Sequence, residues 1–408
     1  MIRPAIVRLV VTGLLIGSTL FGASNAWAKK GLVMEPWVAD RLSKAGEALG
    51  EKRYADAKKE LDGLAKKKSL NPHERAQMWQ AYAGYWGTRG NYKQAAKSLV
   101  KSLANDAEGL HEPAVHYTHK ALAELYVATE QYAKAVRFYV KWLKEEKKPK
   151  PKDKFFLGAA LDRLGKPERA LKWVKAAADS PNPKEAWLQT LLSIYVRLKK
   201  NKEMVPVLEK LVSRYPKRTY WLQLYAATVQ VGNQTRANAI MEVVHEQGFL
   251  EKESELLGLV GLRLSAGMPL RGAKLLEESM ASGKIEKTLK NQRFLAEAWI
   301  QASERKKAIA VLTKIAPKLR KSELYVQLGY LNMEEQKWAK AAQAYQRAIA
   351  LGKVKQVGQV YVFLGISLYR ANNLNGAAKA FRVAQNHKVS KSAAKAWLQT
   401  VQAKRDRG

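Results

Sequence analysis

The sequence predicts an all-α fold built from one pair of helices that is repeated along the chain. The first observation is the segment 337–348, KWAKAAQAYQRA, in which Trp338, Ala341, Tyr345 and Ala348 fall on one face of a helix. Small residues between large ones on that face indicate that a second backbone comes close. The second observation is that related segments recur at intervals of 33 to 40 residues, as expected for a repeat protein.

The repeated segments share a polar residue, then an aromatic residue or Leu, and an Ala three positions later. They lie at residues 53–57, 91–95, 131–135, 337–341 and 373–377. Four of them have a small residue nine positions before the aromatic residue or Leu, at Ala83, Ala123, Gly329 and Gly365. We predict that these small residues let two helices approach closely while the aromatic residues fill the volume between successive pairs. A bulky residue at one of the Ala positions should then cost about 1–3 kcal/mol through overpacking.

Ten pairs of helices account for most of the chain. Their predicted starts are residues 38, 76, 116, 151, 185, 218, 253, 289, 322 and 358, and the repeats from 185 and 253 deviate most from the pattern, with Met204 and Gly272 in place of Ala. Residues 390–405 follow with helical spacing at Ala393, Trp397 and Val401, which predicts a helix that covers the last apolar face. We therefore assign residues 29–388 to the repeat array and residues 389–408 to a C-terminal capping helix with a basic tail.

The repeated pattern can be compared with a known consensus, W-x2-L-G-x2-Y followed by A-x3-F. Residues 322–348 carry Tyr325, Leu328 and Gly329, then Trp338, Ala341, Tyr345 and Ala348, and residues 358–384 carry equivalent residues. This pattern resembles the tetratricopeptide repeat, a helix-turn-helix unit of about 34 residues. The resemblance implies an all-α superhelical solenoid of about ten such repeats.

The same resemblance implies a binding groove. In this family the first helices line the concave face, and repeat positions 2, 5, 9, 12 and 13 usually point into it. Near the C-terminus these positions select an apolar strip edged by charge, suited to a peptide or a partner helix: Val326, Tyr330, Met333, Val362, Ile366, Tyr369 and Arg370. The alternative is that Val362 and Ile366 only pack against a neighbouring helix or the capping helix.

The first 28 residues predict export. Arg3 and Arg8 precede a 13-residue apolar run at 9–21, and Ala26-Trp27-Ala28 forms an A-x-A cleavage pattern. The run is short for a membrane span, so we interpret residues 1–28 as a cleaved signal peptide and expect a periplasmic protein; an uncleaved anchor is the alternative. The chain has no Cys, which excludes a lipoprotein acyl anchor and disulfides.

The charge is strongly positive. The formal net charge is +36, and removal of Arg3 and Arg8 with the signal peptide lowers it to +34. Such an excess favours anionic envelope surfaces or acidic protein partners. Predicted export and the spread of the cations along the chain argue against nucleic acid, although the chain has 11 Trp and 17 Tyr. We interpret the densest basic run, residues 147–154, as a solvated loop between two helices.

The sequence offers no pattern for catalysis. It lacks G-x-S-x-G, H-E-x-x-H and a phosphate-binding glycine loop, and it has no Cys nucleophile. We therefore predict a chain that is not an enzyme, with no cofactor and no small-molecule substrate. His111, His116 and His119, with Glu112, are the one candidate for a metal site; solvated or helix-capping histidines are the favoured interpretation.

Longer segments point to a narrower family. Residues 70–79, 215–224, 247–257, 283–288 and 358–365 resemble the periplasmic tetratricopeptide proteins of the TtpC type, which are encoded beside TonB, ExbB and ExbD. The resemblance implies an accessory role in a TonB-ExbB-ExbD complex that energises the uptake of iron-siderophores, with components of that complex as partners. A scaffold for envelope or peptidoglycan biogenesis is the alternative.

Overall fold

A computed structural model describes residues 33–104 and 109–406, and the regular structure within these ranges is α-helix without any strand. The prediction of an all-α fold is therefore confirmed, whereas the predicted signal peptide lies outside the described residues. The helices are α1 Pro36–Gly50, α2 Tyr54–Ala65, α3 Pro72–Thr88, α4 Tyr92–Leu103, α5 Glu112–Ala128, α6 Tyr132–Glu145, α7 Pro151–Arg163, α8 Pro167–Ala178, α9 Glu185–Arg197, α10 Asn201–Arg214, α11 Arg218–Gln230, α12 Gln234–Glu246, α13 Glu253–Ser265, α14 Pro269–Ala281, α15 Leu289–Gln301, α16 Arg305–Leu319, α17 Ser322–Glu334, α18 Trp338–Leu351, α19 Val357–Arg370, α20 Leu374–Gln385 and α21 Lys391–Arg405.

The chain divides into two compact units. Unit 1 ends at Asn233 and contains α1 to α11, and unit 2 begins at Gln234 and contains α12 to α21. Within each unit the helices pair as antiparallel hairpins, and the second helix of one hairpin packs against the first helix of the next. This is the stacking that defines a tetratricopeptide solenoid, in which each repeat contacts mainly its neighbours.

From residue 151 onward the first helices of the repeats begin within one residue of the predicted starts. In the first three repeats they begin two to four residues earlier. The difference has a local cause. Proline occupies the first turn of α1, α3 and α5, where its missing N–H removes no helical hydrogen bond. At α3, Asn71 and Glu74 add a reciprocal capping box. These first turns lie before the repeat pattern, so each of the three helices extends further towards its N-terminus than the pattern predicts.

Each hairpin within a unit reverses direction through one residue with a left-handed φ, such as +74° at Gly90 and +62° at Asn372. The next residue caps the second helix. At two of these turns an Asn does so, because Asn91 and Asn373 accept hydrogen bonds from backbone N–H groups in the first turn. The polar or Gly turns seen in the sequence are therefore the points at which the chain folds back.

The small residues of the repeat pattern lie against large buried rings. A Cβ atom added at Gly329 would lie 2.6 Å from a ring carbon of Tyr345, and one at Gly365 would clash with the ring of Phe381. Both rings are fully buried, as are Ala341 and Ala348. The two helices of a hairpin can therefore approach only because these positions lack bulk, as the sequence predicts.

Gly329→Val should lower the free energy of unfolding by about 1–3 kcal/mol, because the added methyl groups cannot fit beside the ring of Tyr345. The measurement is urea unfolding followed by circular dichroism. Gly258→Ala is the matched control in the same unit, since nothing lies within 4 Å of the position of its added Cβ atom. This control should be stabilised by about 0.5–1 kcal/mol. An unchanged unfolding curve for Gly329→Val would contradict the close-approach account.

Candidate functional site: a groove on the first helices of unit 1

Two adjoining clefts lie on the first helices α7, α9 and α11 of unit 1. Their volumes are about 530 Å³ and about 650 Å³, within the range of ordinary ligand sites. Both clefts share Gln189, Ser193 and Arg197 on α9, so we call this surface the α9 groove. The remaining lining residues are Ala159, Asp162, Arg163, Gly165, Thr190, Leu192, Val196, Lys217, Thr219, Tyr220 and Gln223.

The shared residues follow the repeat register. Gln189, Ser193 and Arg197 are four residues apart and so lie on one face of α9. They occupy positions 5, 9 and 13 of the repeat that begins at Glu185, which is the register that the tetratricopeptide resemblance assigns to a groove. These three residues are not among the sequence-predicted groove residues, which come only from the last two repeats, where the repeat pattern is clearest.

A hydrogen-bonded network around Glu185 joins α9 to the start of α11. Lys217 Nζ lies 2.6 Å from Glu185 Oε1, and the phenol of Tyr220 donates to the same oxygen. Gln189 Nε2 in turn donates to the oxygen of Tyr220. The bond from Lys217, followed by that from Tyr220, holds the pKa of Glu185 below its usual value. The negative charge of Glu185 is thus compensated by Lys217, and these bonds connect α9 to the start of α11 along one wall of the groove.

An ion pair joins α9 to α7 on the other side. Arg197 donates to Asp162, whose side chain is 15% exposed, while the Arg197 side chain is 42% exposed. A guanidinium has five N–H donors in a planar fork, so Arg197 can hold Asp162 and still offer donors to a ligand. The neighbouring Arg163 is exposed and forms no ion pair with the described part of the chain. The groove therefore has more cationic donors than carboxylates.

An apolar element runs beside these donors. Val196 is 54% exposed on α9, and Val229 is 39% exposed on α11. Both residues occupy position 12 of consecutive repeats, so their side chains extend one line across neighbouring first helices. A peptide in the groove would thus meet hydrogen-bond donors and the exposed Val196.

The residues predicted as a groove near the C-terminus have mixed surroundings. Val362 is 3% exposed and belongs to the hydrophobic core of the last repeats, against which Val326, Met333, Ile366 and Tyr369 pack while partly buried. Tyr369 meets Trp397 of α21 edge-on, with ring centroids 5.6 Å apart. Tyr330 is 52% exposed, and the exposed Arg370 lies over the ring of Trp338. The placement of Val362 agrees with the packing alternative, and the binding role of the set stays a prediction.

Two of the candidate metal residues, His116 and His119, contact other side chains of the protein. His116 lies 3.2 Å from Glu145 and 3.4 Å from Glu146, and its ring stacks on Trp142. His119 is buried beside Phe138. Within the described ranges, no three His, Asp or Glu residues are grouped closely enough to hold a metal ion. In the same part of the chain, no helix has the length and apolar character to cross a membrane.

Comparison with protein families matches residues 118–151 to the tetratricopeptide repeat, TPR_7. Comparison with curated proteins finds no match. Among solved structures, the chain is similar to MamA of AMB-1, at 19% identity over 43% of this chain and 97% of that chain, with a TM-score of 0.36. It is also similar to a tetratricopeptide repeat protein from Parabacteroides merdae, at 16% identity over 62% and 98% of the two chains, with a TM-score of 0.28. The Cut9–Hcn1 hetero-tetramer of APC/C gives 12% identity over 97% and 87%, with a TM-score of 0.29.

The matched segment covers most of α5 and all of α6, which is the third hairpin of unit 1. The same hairpin geometry repeats through both units, so the chain has the tetratricopeptide-repeat fold. Proteins of this class are typically non-catalytic scaffolds that bind other proteins through the exposed faces of their stacked helices.

Glu185→Gln should remove a pH-dependent part of the stability. Because the folded pKa of Glu185 lies below its ordinary value of 4.5, its ion pair stabilises the fold above that pH. This stabilisation is lost as the pH falls through the folded value. The variant should therefore have a slightly lower melting temperature at neutral pH, because solvent screens most of the attraction between Glu185 and Lys217. In acid it should match the unmodified chain.

Lys217→Gln removes the same ion pair and should give the same pH profile, measured by thermal unfolding across the acid range. A constant difference between Glu185→Gln and the unmodified chain at every pH would contradict this account of the groove wall.

Proposed function

We propose that this chain is a non-catalytic periplasmic scaffold that binds an extended segment of a protein partner in the α9 groove. We further propose that it is accessory to a TonB-ExbB-ExbD complex for iron-siderophore uptake. The observation that carries the binding proposal is the pair of clefts on α9, whose shared residues occupy the groove register of the repeat. Both clefts are open on the first helices, where a peptide can enter from the side.

The groove chemistry fits an extended peptide with acidic or amide side chains. Arg163, Arg197 and Gln189 present N–H donors that can pair with carboxylates and with backbone carbonyls. Val196 supplies an apolar contact between them. Because Asp162 and Glu185 are already paired with cations of the protein, they do not repel an acidic segment. The partner would gain its specificity from the spacing of its carboxylates relative to one apolar side chain.

The resemblance of five sequence segments to the TtpC type supports the TonB assignment, and the signal-peptide pattern supports the periplasmic one. A TonB system carries energy from the inner membrane to receptors in the outer membrane, so its periplasmic segments are extended. A repeat scaffold is suited to such segments because it presents one long face of parallel helices. In this role the chain would hold or orient a component of the complex and would not bind iron.

The test is co-purification with a tagged chain from its own host after mild crosslinking. Ser193 is exposed and lines both clefts, so Ser193→Arg should fill the groove without disturbing the core. Ser213→Arg is the matched control, because Ser213 is exposed on α10 of the same repeat and lies outside the groove. TonB, ExbB or ExbD should be recovered with the unmodified chain and with Ser213→Arg, and recovery should fall at least about tenfold with Ser193→Arg, as for the loss of about 1.4 kcal/mol.

Two results would count against the proposal. Equal recovery with both variants would place the partner elsewhere on the protein. Recovery of peptidoglycan enzymes in place of TonB components would favour the envelope-biogenesis scaffold. In a host with a single TonB system, deletion of the chain should also slow growth on a siderophore, and unimpaired growth would contradict the iron-uptake role.

A further inference from the structure

The second helices α4, α6 and α8 of unit 1 carry a dense set of exposed cations, which we call the basic face. Its members are Lys93, Lys97 and Lys101 on α4, Lys134, Arg137, Lys141 and Lys144 on α6, and Arg169, Lys172 and Lys175 on α8. The only carboxylates on these helices are Glu145 and Glu168, and Glu145 already contacts His116. The surface is therefore almost purely cationic.

Nine of these ten cations are not neutralised by a carboxylate in the described part of the chain. Among the residues that the structure describes, only Lys175 forms an ion pair, with Asp179 at 2.6 Å. The other nine have no carboxylate of residues 33–104 or 109–406 within 4.0 Å, in contrast to Arg197 and Lys217 in the α9 groove. Unpaired like charges on adjacent helices repel one another and create a positive surface potential. The basic face therefore attracts anions.

The cations are arranged in register. Lys97, Arg137 and Lys172 each lie six residues after the residue that caps their helix, so they occupy equivalent positions in three consecutive repeats. Each second helix packs against the first helix of its own repeat and against that of the next repeat. The cations of α4, α6 and α8 therefore face the same side of unit 1. The loop after α6 adds the exposed Lys147 and Lys148.

Two valines lie among these cations. Val100 is 43% exposed on α4 and Val140 is 41% exposed on α6, at equivalent positions of the two repeats. Aromatic rings lie beneath the cations: Lys101 Nζ is 4.0 Å from the ring centroid of Trp79, and Lys141 lies over Phe138. The exposed layer thus combines cations with short apolar side chains, and Lys101 and Lys141 cover the rings of Trp79 and Phe138.

We propose that the basic face binds the surface of an anionic phospholipid bilayer. A 14-residue helix such as α6 is about 20 Å long, and three helices side by side cover a similar width. This span exceeds the Debye length of about 10 Å at 0.1 M salt, so one small anion cannot neutralise the whole face. A bilayer presents anionic headgroups over such an area, and Val100 and Val140 can enter the boundary between headgroups and acyl chains.

This inference goes beyond the proposed function, because the α9 groove is formed by first helices and the basic face by second helices. The proposal for the basic face and the proposal for the α9 groove can therefore be tested independently. It also differs from the sequence interpretation of residues 147–154 as a solvated loop, since Lys147 and Lys148 become part of a larger surface.

The test is co-sedimentation of the whole chain with vesicles made of equal parts phosphatidylglycerol and phosphatidylcholine. Binding should be strong at low salt, should fall steeply towards about 1 M salt, where the Debye length is about 3 Å, and should be absent for pure phosphatidylcholine. The variant Lys97→Gln, Arg137→Gln, Lys172→Gln should bind about 100-fold more weakly, because each basic residue near an anionic surface contributes about fivefold in affinity.

The matched control is Lys314→Gln, Lys340→Gln, Lys379→Gln, which removes the same charge from exposed positions on second helices of unit 2. It should bind within a few-fold of the unmodified chain. Equal loss in the two triple variants would show that total charge governs binding and would overturn the basic face as a site. Circular dichroism checks that each variant is folded, and the N-terminal apolar segment is common to all of them.

A soluble anionic polymer distinguishes the bilayer from an acidic protein. Val100→Ser with Val140→Ser should weaken vesicle binding several-fold and leave binding of polyglutamate unchanged. If polyglutamate binds the basic face as tightly as the vesicles do, and the valine substitutions change neither, the occupant is an acidic protein and the bilayer assignment is wrong.

Discussion

The fold depends on the close approach of two helices where a small residue faces a ring. In the hairpin of α17 and α18, Gly329 leaves the space that Tyr345 occupies, and Phe381 uses the same space beside Gly365 in the next hairpin. Dispersion and burial of one aromatic side chain contribute about 2–3 kcal/mol, but only at this short distance. Without disulfides, such contacts repeated along the chain are what hold each unit together.

The same constraint explains how much of the fold was readable from the sequence. Small and aromatic residues at fixed spacing predict the hairpins and most of their starting points, because packing permits few substitutions there. The first turns of α3 and α5 were missed because proline and capping residues determine them locally, outside the packed pattern. The turns were recognisable as polar or Gly-containing. The residue that takes the left-handed conformation was not predicted, because non-glycine residues such as Asn372 also adopt it.

The candidate site was harder to predict for a physical reason. Gln189 and Ser193 are exposed polar residues, and nothing in their spacing distinguishes them from ordinary surface positions. The pair of Arg197 with Asp162 joins residues 35 apart in sequence, and the bond from Tyr220 to Glu185 spans the same distance. Such pairs form only once neighbouring repeats are stacked. Conversely, the C-terminal residues chosen from the sequence include Val362, whose apolar character reflects burial in the core.

The alternation of first and second helices in unit 1 has a consequence for how its two surfaces would work together. The α9 groove and the basic face belong to different helices of the same stack, so occupation of one leaves the other open. A scaffold that rests on a bilayer would share that plane with any partner anchored in it. Their encounter would then be a search in two dimensions at a raised effective concentration, and a weak groove could suffice for lasting association.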